Sequence, residues 1–190
     1  MPQTISWRRV LKRSAWRVLR PTFSLLVIAG LVHTGRLGAA DGDWTYWRGP
    51  DATGVAHGDA PLRWNETEGI RWRATVPGRG YSSPIVWGDR VFLTTAIPAD
   101  AEAARRSLVE HQFVLLCYNR TTGDLLWQRA ATTATPHEPH HPTYGSFASN
   151  SPVTDGKHVF AFFGSRGLYA YTLDGEAVWQ KSFGTLRMYM

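Results

Sequence analysis

The chain has 190 residues, 9 of them Trp, a single Cys and a formal charge of +6. One cysteine excludes an internal disulfide and any Cys-rich zinc site. Residues 1–40 hold Arg8, Arg9, Lys12, Arg13, Arg17, Arg20 and Arg36 and no acid, which leaves 14 basic residues against all 15 acids for the remainder; the positive balance therefore belongs to one terminal segment, and nucleic acid is excluded as a partner.

In chain order, residues 1–40 read as a secretory signal. A cationic stretch ends at Arg20, an apolar stretch "FSLLVIAGLV" follows, and "LGAA" supplies small residues before Asp41. Ten apolar residues reach only about 15 Å as a helix, half of a hydrocarbon core of roughly 30 Å, so no permanent membrane span is expected after cleavage. The expected location is outside the cytoplasm, periplasmic or at the cell surface.

Residues 41–69 form a turn-rich lead-in, "WTYWRGPDATGV" and beyond, whose aromatics Trp44, Trp47 and Trp64 are expected to tuck it against a larger body. Residues 70–76 place Ile70, Trp72, Ala74 and Val76 at a period of two, which predicts a half-buried strand. "SSPIVWGDRVFLTT" gives two strands hinged on Gly88-Asp89. The Ala-rich stretch "ADAEAARRSLVEH" predicts a short helix capped by Asp100. "FVLLCYN" and "DLLWQRA" then resume the strands around Thr122-Gly123, with Cys117 as a buried thiol. A long loop, "TTATPHEPHHPTYGSFASN", separates this from "SPVTDGKHVFAFFGSRGLYAYTLDGEAVWQ".

That last stretch repeats the earlier one. Pro84 pairs with Pro152, Gly88 with Gly156, Gly123 with Gly175 and Trp127 with Trp179. Each copy predicts four strands of four to seven residues joined by tight turns, an antiparallel meander. Val159, Ala161 and Phe163 alternate with Phe160 and Phe162, so both faces of the sheet are apolar. Exposed apolar surface costs about 25 cal/mol per Å², and stacking like sheets around an axis covers both faces at once. Trp72, Trp127 and Trp179 are expected as wedges between consecutive sheets, each burial contributing roughly 4–6 kcal/mol before entropy is subtracted.

These repeats resemble those of pyrroloquinoline-quinone-type (PQQ-like) β-propellers, the quinoprotein-dehydrogenase-like and BamB-like group. The resemblance covers residues 64 to about 184. It implies an all-β propeller of four-stranded blades, with residues 70–190 supplying one closing strand and two blades of a ring that has seven or eight. Two blades cannot close a ring, so a longer ring is expected, with an uncovered apolar face on the last blade here.

The resemblance also implies two functional readings. The first is an exported, non-catalytic module binding protein or polysaccharide partners; the second is a PQQ-dependent alcohol or sugar dehydrogenase with calcium. Dehydrogenases of that type hold the quinone between a Trp and a disulfide of adjacent cysteines, which Cys117 alone cannot form. A third reading comes from the residues themselves: His137, His140 and His141, beside Glu138, are ligand types for zinc or copper, although extended chain points adjacent histidines apart. Ser149, Asn150 and Ser151 lack the context of a nucleophile. Arg166, in the Gly164–Gly167 turn, is expected to be solvated.

Overall fold

A computed structural model describes residues 42–56, 61–102 and 108–187. The predicted signal segment and most of the predicted helix, at 103–107, lie outside the described residues. The described residues all belong to one compact unit, Arg36–Met190.

Eight strands follow in order: β1 (Ile85–Trp87), β2 (Arg90–Pro98), β3 (His111–Asn119), β4 (Leu125–Ala134), β5 (Val153–Thr154), β6 (His158–Phe162), β7 (Leu168–Thr172) and β8 (Ala177–Lys181). They form two four-stranded sheets, β1-β2-β3-β4 and β5-β6-β7-β8, with every neighbouring pair antiparallel. Each sheet is a simple meander, one propeller blade, and β1 lies alongside β5 where the blades meet. The chain overran one expectation: β2, β3 and β4 run 9, 9 and 10 residues. Nothing between Thr94 and Pro98 breaks the ladder, which continues to the pair Pro98↔His111. Beyond it, the Ala99 N–H bonds to Glu110 O at 2.8 Å and closes the base of the insert; Asp100 Oδ1 accepts from the Glu102 N–H at 2.9 Å.

The register explains why both faces are dry. Phe92 lies opposite Cys117, Thr94 opposite Leu115 and Ala96 opposite Phe113, so the pleat sends these six to one side. There Phe92, Ala96, Phe113, Leu115 and Cys117 share a core with Val159, Ala161, Tyr169 and Tyr171 of the second sheet. The alternate residues Val114, Leu116 and Tyr118 form a second core on the opposite face, against which Ala74 packs.

Residues 70–76 belong to no sheet among the described residues. A strand needs a ladder partner at its side, whereas this segment lies across the face of the first sheet and meets it mainly through side chains. The Tyr118 hydroxyl donates to Thr75 O at 3.4 Å, and Thr95 Oγ1 donates to Pro77 O at 2.6 Å. The lead-in also departs from expectation. Trp44 does tuck in: it exchanges two 2.8 Å backbone hydrogen bonds with Val86, and the Thr154 N–H reaches Thr45 O at 3.1 Å, so these two residues bridge the blades' β1 and β5. Trp47 and Trp64 stay 65% and 70% exposed, because the turn-rich chain around them carries no apolar alternation to hold it down.

The tryptophan wedges have a common geometry. Trp72 lies flat over Gly123, where a Cβ would stand 2.6 Å from the ring, and its Nε1–H donates to Arg120 O at 2.8 Å. Trp127 repeats this over Gly175, with a Cβ position 2.8 Å from the ring and a 3.1 Å bond to Leu173 O. Arg120 and Leu173 are each the first residue after their strand, β3 and β7. Gly123 (φ 80°) and Gly175 (φ 84°) are thus required twice over, by a left-handed backbone and by the indole above it. Trp87 makes the same close approach to Gly156. Arg129 strengthens the second wedge, with its guanidinium carbon 5.6 Å from the Trp127 ring and its Nε donating to Gly175 O at 2.7 Å. Trp179 remains 45% exposed, tilted against Phe160 at 5.8 Å. Equivalent residues of the copies also touch: the Ser83 N–H donates to Ser151 Oγ at 2.8 Å. Pro152 is buried where its counterpart Pro84 is exposed.

Candidate functional site

The long loop between β4 and β5 has three prolines and no periodicity, so its order comes from side chains bonding to backbone. His141 Nδ1 accepts the N–H groups of Thr143 and Tyr144 at 3.2 and 3.0 Å, and its ring stacks on Tyr144 at 4.8 Å. Ser146 Oγ accepts from the Ala148 N–H at 3.1 Å, while the Ser149 hydroxyl donates to Ser146 O at 2.9 Å. Three neighbours pin the loop to the first blade. The Tyr81 hydroxyl donates to Thr143 O at 2.7 Å, Arg79 Nη2 to Pro142 O at 2.9 Å and Thr94 Oγ1 to Asn150 O at 3.0 Å.

Between this loop and the 3-10 turn Gly164–Arg166 lies a groove of about 200 Å³. Phe113, Phe147 and Phe163 supply its aromatic lining, and His137, His140 and Arg166 are among its polar residues. Ser149 and Asn150 also reach it; His141 and Ser151 do not line it. Phe113 and Phe163 meet edge to face at 5.5 Å and are 2% and 4% exposed. His140 and His111 both meet Phe147 edge to face, at 4.7 and 4.8 Å.

The bonds of His137 assign its tautomer. Arg166 Nη2 lies 3.1 Å from His137 Nδ1, and a guanidinium only donates, so Nδ1 carries the lone pair. Nε2 faces Glu138 Oε1 at 3.0 Å and Leu186 O at 3.2 Å, two acceptors, and so bears the hydrogen. Arg166, expected to be a solvated turn tip, is therefore partly buried and orients this imidazole.

That arrangement bears on catalysis. Ser165 Oγ stands 3.5 Å from His137 Nε2, but a protonated Nε2 has no lone pair to accept a proton from it. The histidines are also held for separate purposes: His140 Nδ1 bonds to His141 O at 2.9 Å, and His141 Nδ1 serves the loop amides. Among the described residues no group of three or more His, Cys, Asp or Glu is placed to hold a metal ion.

Quinone binding of the dehydrogenase kind finds no fit in these residues. Cys117, the only cysteine, is fully buried in the core between the blades, and burial pushes its thiol up to about 12. It is expected to resist a thiol reagent at pH 8 in the folded protein and to react fully in denaturant; rapid modification of the native chain contradicts this packing.

Two residues of the groove escaped the sequence reasoning. Ser165 Oγ accepts the Leu186 N–H at 2.8 Å and donates to Leu186 O at 3.0 Å. Nothing periodic links a turn serine to a leucine 21 residues away; the only local sign was a small hydroxyl between two glycines of a strand-end turn.

A family model described as outer membrane protein assembly factor BamB, built on PQQ-type repeats, matches residues 4–187. No curated protein matches the chain at a significant level.

Proposed function

The chain belongs to the outer membrane protein assembly factor BamB family of PQQ-type repeat proteins, and on that premise we propose that it is an exported, non-catalytic β-propeller module that binds partners through the loops at the ends of its blades. The observation that carries this reading is the groove itself. It joins an apolar floor, formed at the edge of the core by Phe113 and Phe163, to polar groups from two loops. Its serines and histidines are committed to orienting one another and nearby backbone, an arrangement suited to recognition. Fold alone does not decide function, so the site's chemistry has to.

Export rests on residues 1–40. Fused to a phosphatase that is active only outside the cytoplasm, this segment is expected to give activity, and Leu26→Arg in its apolar stretch is expected to abolish it. Among the described residues, no helix is long and apolar enough to cross a membrane.

Titration with PQQ and calcium separates this reading from the dehydrogenase reading. No saturable spectral change and no dye-linked alcohol oxidation are expected. Saturable binding accompanied by oxidation overturns the proposal.

A further inference from the structure

We propose that the groove is a peptide-docking site, which reads the main chain of an extended segment and takes one aliphatic side chain, and that the main chain of Leu186 occupies its reading edge in cis. The proposal rests on the binding-module reading and gives it a partner class. Ser165 Oγ engages both the N–H and the carbonyl of Leu186, at 2.8 and 3.0 Å, and the one hydrogen of His137 Nε2, shared with Glu138 Oε1 at 3.0 Å, faces the same carbonyl at 3.2 Å. Bonds to backbone do not depend on the side chain the segment carries; selectivity then falls to the pocket, as when other proteins bind extended peptides. Leu186 is itself one wall of the groove, with Pro136, Pro139 and Phe163, so the open volume beside it is a surface suited to an aliphatic group.

Two features favour a peptide over a polysaccharide. Phe113 and Phe163 are 2% and 4% exposed, and the partly buried Phe147 is already packed by His111 and His140, so the lining offers little open ring face on which a sugar would stack. The reading groups, moreover, are already set to a peptide's donor and acceptor: Arg166 holds His137 in the Nε2–H form by its 3.1 Å bond to Nδ1. Among the described residues, 182–185 and Arg187 are exposed on either side of the partly buried Leu186, and Phe183 touches the second blade at Phe162, so a competing segment would have to displace few contacts there.

The test uses the full chain and a fluorescent peptide of residues 182–187, SFGTLR, followed by anisotropy. The Leu186→Gly variant is expected to bind the peptide at least tenfold more tightly than the unaltered chain. Ser165→Ala added to that variant is expected to reverse the gain, Ser165→Thr to retain it, and a peptide with Gly in place of Leu to fail. Circular dichroism of each variant checks that the blades are intact. Absence of peptide binding by folded Leu186→Gly, or binding indifferent to Ser165→Ala, overturns the proposal. A β-1,4-linked tetrasaccharide titrated in parallel distinguishes the failures: sugar binding without peptide binding overturns the peptide assignment alone, whereas quinone-dependent oxidation overturns the binding-module reading beneath it.

Discussion

Val159→Asp is expected to unfold the two-blade body, while Val178→Asp is expected to cost less than about 1 kcal/mol. Val159 is 0% exposed and shares the core between the sheets with Phe92, Leu115 and Cys117. A carboxylate there would either stay charged without a partner, at a penalty of several kcal/mol, or take up a proton at a comparable expense. Domains of this size are held by only about 5–15 kcal/mol in all. Val178, on β8, is 46% exposed, so its aspartate would remain hydrated. Far-UV circular dichroism followed through a urea titration reads both variants. A folded Val159→Asp chain with an unchanged midpoint would mean that the sheets do not meet through this face.

The second large effect concerns the wedges. Trp127→Ala is expected to destabilise by about 3 kcal/mol, at the lower end of the range for losing a large aromatic, because the ring is partly rather than fully buried. It would remove the ring over Gly175, the 3.1 Å bond to Leu173 O and the surface beneath Arg129. Trp179→Ala, at the equivalent position of the second copy, is expected to cost about 1 kcal/mol or less, since that ring is 45% exposed. Two residues of one sequence pattern would thus differ in stability by what lies over them. Equal losses, measured by the same urea titrations, would contradict the wedge account.

The blades were legible in the sequence because their signals are local. Gly88, Gly123, Gly156 and Gly175 mark the turns, and the alternation around Val159 and Phe160 states that both faces are apolar. From there the stacking of sheets follows from the need to keep both faces dry. Long-range partners were less legible. Residues 70–76 carry the alternation of a strand, yet alternation reports which side chains are apolar and not whether a neighbouring backbone exists to complete a ladder. Trp64 shows the same gap, since a large aromatic in a polar loop invites burial that nothing in the described structure provides. The groove was half visible. His137 and His140 stood out as ligand types for a metal, Ser149 and Asn150 as polar residues without a nucleophile's context, and Arg166 as a solvated turn tip. The contacts that build the groove's edge join partners far apart in sequence, which no local signal announces: Arg166 lies 29 residues from His137, and Ser165 21 from Leu186.

The apolar face of the second blade follows the same physics. Phe160 and Phe162 are half-buried, while Trp179 and Phe183 are 45% and 46% exposed. Like the first blade, this sheet is built apolar on both sides, and only its inner side is covered by a described neighbour.

The interlocking of each blade's tryptophan with the next blade's turn glycine is tested most directly by a double-mutant cycle on Trp127 and Gly175. Gly175→Ala alone is expected to cost more than the strain of φ 84° explains, because its Cβ would stand 2.8 Å from the indole. With Trp127→Ala already in place, that added cost should fall to the backbone strain alone, giving a coupling energy of about 1 kcal/mol or more. Strictly additive losses would show that ring and turn do not meet, and that the blades are not joined by this wedge.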